Sequence, residues 1–266
     1  MALLSIAAAI SAFVSPLDEA RAPLPETRPA LWVVSDADTT IYLFGTFHAL
    51  DGQSNWFSAD VRQAFGKSDA LVLETIIPPP PAPIARAKPF STIGPVTSLA
   101  GSASFLSSTK VVMSASRSNG MSTSHGADVV LSNAAEASGK PIQGLESFEF
   151  QLSMFSKLPP APRSGSNAPS PATMKMLSAT LADLQAAWNR GDAEGFTPML
   201  EQMRTNSPDM YRMMFVDRNS RWASWIAKRL EQPGTVFVAV GAGHLAGRDS
   251  VQAKLSMLGL GTARLN

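Results

Sequence analysis

The sequence predicts a mixed α/β fold in which helices surround a central sheet, and three patterns support this prediction. Residues 70–73 and 235–240 are almost entirely apolar, as expected for short strands that are buried on both faces of a sheet. Residues 174–190 carry apolar side chains at helical spacing. Residues 31–34 and 40–44 are rich in β-formers and flank an Asp-containing turn, which predicts a hairpin.

The remaining segments alternate between helices and short strands. Ser58 suits the start of one helix and Gly139 the end of another, because Ser is a preferred N-cap and Gly terminates helices readily. Proline-rich stretches at 78–83 and 159–171 interrupt regular structure. Helices are predicted over residues 58–65, 95–106, 127–138, 147–158, 193–203, 208–230 and 249–258, and strands over 141–144 and 263–265.

The N-terminal region predicts export. Residues 2–14 are apolar, but a bilayer-spanning helix needs about 20 residues, and Ala20-Arg21-Ala22 resembles a signal-peptide cleavage site. We therefore expect a periplasmic protein with no stable membrane span. Because no Lys or Arg precedes the apolar run, a short N-terminal helix and a start codon placed too far downstream are the alternatives. The predicted parts are a signal peptide at 1–22, a linker at 23–30, and a domain at 31–266 with a helical insertion at about 147–232.

The composition excludes two classes of function. The chain of 266 residues has 22 Lys and Arg against 21 Asp and Glu, so its charges nearly balance. It therefore lacks the excess of positive charge that attracts nucleic acid. The sequence contains no cysteine, which excludes disulfides, thiolate metal ligands and a cysteine nucleophile. Hydrophobic residues make up 45% of the chain, enough for a substantial core.

Four side chains that can bind a metal lie at the ends of predicted strands or within a few residues of them. They are His48, Glu74, Glu146 and His244. In sheets with crossover helices, sites form outside the carboxyl ends of the strands. If the strands are parallel neighbours, these four side chains will converge at one edge of the sheet.

Both histidines belong to Gly-x-x-His elements, Gly45-Thr46-Phe47-His48 and Gly241-Ala242-Gly243-His244. The sequence has 3 His and 18 Gly, so chance predicts about 0.2 such matches. We expect each glycine to let the backbone turn sharply off its strand, with a positive φ where the turn needs it. Each histidine has an alternative as a loop residue that caps a helix, and each glutamate as a carboxylate at a helix start.

Imidazole and carboxylate ligands together suit Zn, Mn, Co or Fe(II). Such a metal lowers the pKa of its bound water and supplies hydroxide near neutral pH. A carboxylate that stays outside the coordination shell, Glu74 or Glu146, would serve as general base.

Other polar and aromatic residues have weaker claims to a function. Arg218 and Arg221 share one face of a predicted helix and could clamp a substrate carboxylate or stabilise an oxyanion, although Arg221 could instead pair with Asp217. His125 lies in a Ser/Thr-rich loop and is expected to be solvated. Trp222 and Trp225 are expected to be core residues.

These motifs resemble those of the TraB/GumN (PrgY) family. The resemblance covers about residues 31–266, and the motifs occur in the family's order. They are the Gly-Thr-Phe-His48 element after its Ile-Tyr-Leu-Phe strand, the acidic strand end at Glu74, the segments 140–146 and 149–152, the Arg-rich segment 216–222, and the strand that leads into Gly-Ala-Gly-His244. The chain departs from the family's pattern between about residues 90 and 124, where the expected helical insertion looks short.

The resemblance implies an α/β domain similar to erythromycin-esterase-like and ChaN-like proteins. By analogy with the Tiki branch, it implies a metal-dependent, protease-like hydrolase that acts on a peptide or a similar small envelope substrate, with Mn, Co or Zn. The expected metal ligands are His48, Glu74, Glu146 and His244, and the expected catalytic residues are Glu74, Glu146, Arg218 and Arg221. Two alternatives stay open: a non-catalytic protein that sequesters a peptide signal, and a metal- or haem-binding protein of the envelope.

Overall fold

A computed structural model describes residues 27–76, 99–156 and 169–266, and for 99–108 and 155–156 the description covers the backbone only. Several predictions lie outside the described residues. They are the signal peptide at 1–22, the first part of the linker at 23–26, the proline run at 78–83, residues 95–98 and 157–158 of two predicted helices, and residues 159–168 of the predicted loop.

A six-stranded sheet forms the centre of the described structure. Its strands are β1 (Leu31–Ser35), β2 (Thr39–Thr46), β3 (Ala70–Thr75), β4 (Ile142–Glu146), β5 (Gly234–Gly241) and β6 (Ala263–Arg264). The spatial order is β4-β3-β5-β2-β1-β6. From β4 to β2 each strand is parallel to its neighbour, whereas β1 and β6 are antiparallel additions at the other side. The carboxyl ends of β4, β3, β5 and β2 therefore share one edge of the sheet.

The predicted hairpin is confirmed as β1 and β2. Its turn is held by the carboxylate of Asp36, which accepts a hydrogen bond from the Thr39 backbone N–H at 2.9 Å. This is the local side-chain-to-backbone bonding that favours Asp in turns.

Helices cover both faces of the sheet. They are α1 (Ala59–Lys67), α2 (Leu99–Ser118), α3 (Ala127–Ala137), α4 (Phe148–Ser156), α5 (Pro171–Asn189), α6 (Thr197–Asn206), α7 (Pro208–Tyr211), α8 (Asp217–Arg229) and α9 (Val251–Met257). Short 3₁₀ turns occur at Thr123–His125, Ala193–Phe196 and Ala242–Leu245. Within the described part of the chain, no helix combines the length and the apolar character needed to cross a bilayer.

Two apolar clusters pack against opposite faces of the sheet. Consecutive residues of β5, Phe237 and Val238, belong to different clusters, because side chains alternate along a strand. The first cluster includes Phe44, Leu71, Phe237, Phe65 of α1, Leu131 of α3 and Trp188 of α5. The second includes Leu43, Val72, Val238, Trp222 and Ile226 of α8, and Leu255 of α9. The sheet is thus buried on both faces, as the apolar strands predicted, and the mixed α/β fold class is confirmed.

The end of β2 is fixed by a buried hydrogen bond from the helical layer. The indole Nε1 of Trp188 donates to the Gly45 carbonyl at 2.7 Å. Trp188 is a core residue that also satisfies a backbone group at the strand end, which a purely apolar side chain could not do.

Two helices differ from the prediction. α2 continues to Ser118, well beyond the predicted end at residue 106, through a stretch rich in Ser. Ser hydroxyls there bond the helix's own carbonyls, as Ser116 does to Val112 at 3.0 Å, so these polar groups are satisfied within the helix. The helix predicted over 208–230 is divided by a π-helical turn at Arg212–Val216, which separates α7 from α8.

Candidate active site at the carboxyl edge of the sheet

The four strand-end residues predicted from the sequence lie at the common carboxyl edge of the parallel strands. Glu74 and Glu146 occupy the ends of β3 and β4, and His48 and His244 follow β2 and β5. These four strands are neighbours in the sheet, as the argument from topology required. The chemical roles of the four residues stay predictions.

The guanidinium of Arg218 lies between Glu74, Glu146 and His244. Arg218 belongs to α8 and its side chain is only 3% exposed. Its Nη2 donates to Glu74 Oε2 at 2.7 Å. Its Nε donates to the two Glu146 carboxylate oxygens at 3.1 and 3.0 Å. Its Nη1 lies 3.2 Å from His244 Nε2. Arg218 thereby places one positive charge between two carboxylates that are largely removed from water, and Arg221 is a second cation beside Glu146.

Glu146 is the more completely enclosed of the two carboxylates. Its side chain is 4% exposed, and it also accepts from Arg221 Nη2 at 3.2 Å and from Gln151 Nε2 at 3.3 Å. Arg221 itself is 47% exposed and lies over the Phe150 ring at 4.7 Å. Of the two arginines, Arg221 is therefore the one that faces solvent.

The hydrogen bonds around His244 define its tautomer. The Asp249 carbonyl can only accept, so Asn219 presents its amide Nδ2 there, at 2.7 Å. The Oδ1 of Asn219 then faces His244 Nδ1 at 2.6 Å, and this nitrogen must donate. The opposite nitrogen, Nε2, is left with its lone pair and accepts from Arg218. His244 is therefore a neutral imidazole protonated at Nδ1.

The surroundings of His244 favour this neutral form. The ring lies between Phe215 of the π-helical turn, at 4.8 Å, and Trp222, at 4.5 Å between ring centroids. Burial lowers the pKa of His244 from 6.5 to about 3, since the opposing charge of Glu74 is outweighed by burial together with Arg218 and His48.

Glu74 is ionised at neutral pH. Burial alone would raise its pKa, but the positive charges of His244 when protonated, of Arg218 and of His48 lower it from 4.5 to about 2. Because His244 is neutral above its own low pKa, Arg218 and His48 supply the positive charge that matters near pH 7. Glu74 Oε1 also accepts from the Gly241 backbone N–H at 2.6 Å.

The glycines of the two Gly-x-x-His elements are needed for close approach rather than for an unusual backbone angle. Gly241 has φ −52°, and Gly45 is not among the glycines with positive φ, so the positive φ allowed for in the sequence prediction is not used. A Cβ on Gly241 would lie 3.1 Å from Glu74 Oε1, and one on Gly45 would lie 3.1 Å from Ala242 Cα. A side chain on Gly241 would therefore crowd the Glu74 carboxylate, and one on Gly45 would crowd the second element at Ala242.

His48 is the exposed member of the group, with 64% of its side chain accessible. Its Nδ1 lies 3.4 Å from Asp128 Oδ1. Its Nε2 points to the opposite side, 3.6 Å from where a Cβ on Gly241 would be. Although much of the side chain is accessible, desolvation by the surrounding protein opposes protonation of the ring. The hydrogen bonding and charge of Asp128 and the charge of Glu74 outweigh this effect and raise the pKa of His48 from 6.5 to about 9.

Three of the four predicted metal ligands are already hydrogen-bonded to Arg218 and are therefore not free to bind a metal ion. Arg218 takes lone pairs of Glu74, Glu146 and His244 that a metal would need. In the described ranges, no group of three or more His, Asp or Glu side chains is placed to hold a metal ion. The donor types still suit Zn, Mn or Co, so the metal stays a prediction that requires Arg218 to move aside.

An open groove lies beside Glu146. It has a volume of about 390 Å³, and its lining includes Ile76, Gly144 and Phe148. This volume is in the range of ligand-binding clefts. A second cavity, beside Trp188 and Gly45, has about 10 Å³, room for no more than one water molecule.

Two polar residues that contact the histidines, Asn219 and Asp128, were missed in the sequence, as was Phe215, which packs against His244. Asn219 lies within the Arg-rich segment already singled out, so its neighbours were the available signal. Asp128 lies in the first turn of α3. Acidic residues are common at this position of a helix, so nothing in the sequence distinguishes Asp128 as a functional residue. His125 is exposed and Trp222 is buried, as predicted.

Comparison with known proteins gives one match. No curated protein and no solved structure matches this chain. The model of the TraB/PrgY/gumN family matches residues 30–93 and 95–260, a span that includes every strand-end residue described above. The chain therefore belongs to the TraB/PrgY/gumN family.

Proposed function

We propose that this protein is a hydrolase that cleaves a peptide or similar bond at the carboxyl edge of the sheet. One observation carries the proposal: an exposed imidazole, His48, lies next to a buried cluster of two carboxylates, a guanidinium and a neutral imidazole. Titratable groups whose pKa values are displaced in opposite directions, as those of His48 and His244 are, cluster at catalytic sites.

His48 is the group best placed to transfer a proton to a substrate. It is accessible, and its Nε2 faces the strand edge. With a pKa of about 9 it is protonated at neutral pH, so it can donate a proton to a leaving amine or alkoxide. In its deprotonated form the same nitrogen would accept a proton from water.

The remaining groups supply charge and orientation. Glu74, ionised and fixed by Arg218 and by the Gly241 N–H, can orient a water or a substrate N–H beside His48. Arg221, which is half-exposed beside the groove at Glu146, can bind a substrate carboxylate or carbonyl oxygen. The groove is lined by apolar groups such as Ile76 and Phe148 and by the carboxylates of Glu146 and Glu149, so it would accept a part of the substrate that carries no negative charge.

A divalent metal, if bound at this edge, would polarise the scissile carbonyl. His48, Glu74, Glu146 and His244 are the residues that would hold it, after Arg218 had released them. Export to the periplasm, which the N-terminal sequence predicts, is also part of the proposal.

The experiment is a screen for turnover by the purified protein. A library of short peptides is incubated with the protein in three arms, with chelator, without addition, and with Mn, Co or Zn, and products are identified by mass spectrometry. We expect cleavage of a subset of peptides with more than one turnover per protein molecule. Absence of cleavage in every arm by folded protein would contradict the proposal.

A second function, peptide binding without turnover, is favoured by one observation. Both carboxylates are ion-paired with Arg218, which weakens them as bases. Calorimetric titration with the library peptides distinguishes the two functions. Stoichiometric binding that leaves every peptide intact, with or without chelator, would support sequestration.

A further inference from the structure

We propose that Asp128 is a positioning residue that holds the His48 imidazole through Nδ1 and thereby directs Nε2 toward Glu74 and Gly241. The inference rests on the proposed function, because the direction of Nε2 matters when His48 transfers a proton or binds a metal. Asp128 lies on α3, on the far side of His48 from the carboxylate cluster.

The first observation is a buried carboxylate oxygen that lacks a hydrogen-bond partner. Asp128 Oδ1 has no such partner among the described residues. His48 Nδ1 is the charged group beside it, at 3.4 Å. Leaving a buried acceptor unsatisfied is destabilising, so a small rotation of the exposed ring that closes this distance is favourable. Catalytic hydrogen bonds are often this long before a ligand binds.

The second observation is that the backbone at the start of α3 is fixed to the backbone beside His48, whereas the His48 ring is not held by packing. The Ala127 N–H donates to the Phe47 carbonyl at 2.9 Å, which joins the start of α3 to the residue before His48. Ala127 and Leu131 are fully buried, so α3 is fixed on the sheet. The His48 ring, at 64% exposure, has little packing to orient it. Asp128 is therefore the group that selects its rotamer.

The chemical consequence follows from the two nitrogens of imidazole. An ionised Asp128 at Nδ1 keeps the proton there when the ring is neutral, which leaves the lone pair on Nε2. When the ring is charged, Nε2 carries the proton that would be donated. The charged groups that act on the ring are Asp128, Glu74 and Arg218. A metal bound at Nε2 would be oriented by the same contact.

The ordinary explanation for Asp128 is that an acid in the first turn of a helix interacts favourably with the helix dipole. The chain provides a matched control for this explanation. Asp60 is the second residue of α1, as Asp128 is of α3, and it is exposed. Asp60→Asn removes the same dipole interaction at an equivalent position and leaves His48 untouched.

The test is two-bond ¹H–¹⁵N NMR of the imidazoles in the full chain, which has only 3 histidines to assign. The spectra are followed with pH in the wild type and in Asp128→Asn, Asp128→Glu and Asp60→Asn. We expect the neutral His48 ring of the wild type to carry its proton on Nδ1. In Asp128→Asn we expect a mixture of both tautomers of the neutral ring, with Asp128→Glu restoring the wild-type pattern. His125 and Asp60→Asn should show no change.

An unchanged tautomer of the neutral His48 ring in Asp128→Asn would overturn the inference. With a peptide from the turnover screen, Asp128→Asn should lower kcat by about 10-fold or more with little effect on KM, as expected when a proton-transferring group is misdirected. The spectra require no substrate, so they decide the inference even where the screen finds no cleavage. A changed imidazole with unchanged turnover would count against the role of His48 in hydrolysis.

Discussion

Replacing Arg218 by Met is the perturbation whose effect on folding follows most directly from the structure. Arg218 is 3% exposed and is bonded to two carboxylates, of which Glu74 is 17% and Glu146 is 4% exposed. Met keeps much of the side-chain volume and the contact with Trp222, but it removes the charge. The variant leaves both carboxylates buried beside each other without their main counter-charge.

Two considerations give the size of the expected loss in the free energy of unfolding. A Glu74 pKa that is displaced from 4.5 to about 2 corresponds to about 3 kcal/mol in favour of the ionised form, and His244, His48 and the Gly241 N–H contribute to it beside Arg218, so this value is an upper bound for the loss of Arg218. Removing one partner of a buried pair usually costs about 3–5 kcal/mol. Glu74 can limit the loss at pH 7 by taking up a proton, so we expect destabilisation by about 3 kcal/mol.

The assay is urea unfolding at pH 7, followed by tryptophan fluorescence and circular dichroism. Arg221→Met is the control, because Arg221 is 47% exposed and its ion pair should contribute less than about 1 kcal/mol. Adding Glu74→Gln and Glu146→Gln to Arg218→Met should recover part of the stability. A loss below about 1 kcal/mol in Arg218→Met would refute the description of a buried, charge-neutralised cluster.

Two further predictions concern acid stability and the core. Because the pKa of His244 is about 3 in the folded protein and 6.5 in the unfolded chain, the stability it contributes is complete above pH 6.5 and is lost as pH falls toward 3. The free energy of unfolding, measured in urea at a series of pH values, should therefore decline below pH 6.5, and less steeply in His244→Gln; identical slopes would contradict this. Trp188→Phe leaves the buried Gly45 carbonyl without its donor and should cost about 1–3 kcal/mol. A loss below about 0.5 kcal/mol in the same assay would mean that this hydrogen bond contributes little.

The sequence was sufficient to predict which residues lie at the strand ends. Apolar runs marked β3 and β5, and a parallel arrangement then required Glu74 and His244 to share an edge with His48 and Glu146. The turn at Asp36 and the helix ended by Gly191 follow from local preferences of the backbone, which nearby residues determine.

The partners of these residues could not be predicted in the same way. Arg218 was recognised as a candidate, but its burial depends on how α8 packs on the sheet through Trp222 and Ile226. The contact of Asp128 with His48 joins residues 80 positions apart and depends on the packing of α3. Side-chain direction toward a site is a product of tertiary packing, which periodicity alone does not specify.

We propose above that His48 transfers the proton in hydrolysis. This role is tested most directly by measuring kcat/KM of His48→Gln on a peptide that the screen shows to be cleaved. His125→Gln is the matched control, since His125 is also exposed but lies on a 3₁₀ turn outside the cluster. We predict that His48→Gln lowers kcat/KM by about 100-fold or more while His125→Gln stays within about twofold of the wild type. Equal activity of His48→Gln and the wild type would contradict the claim.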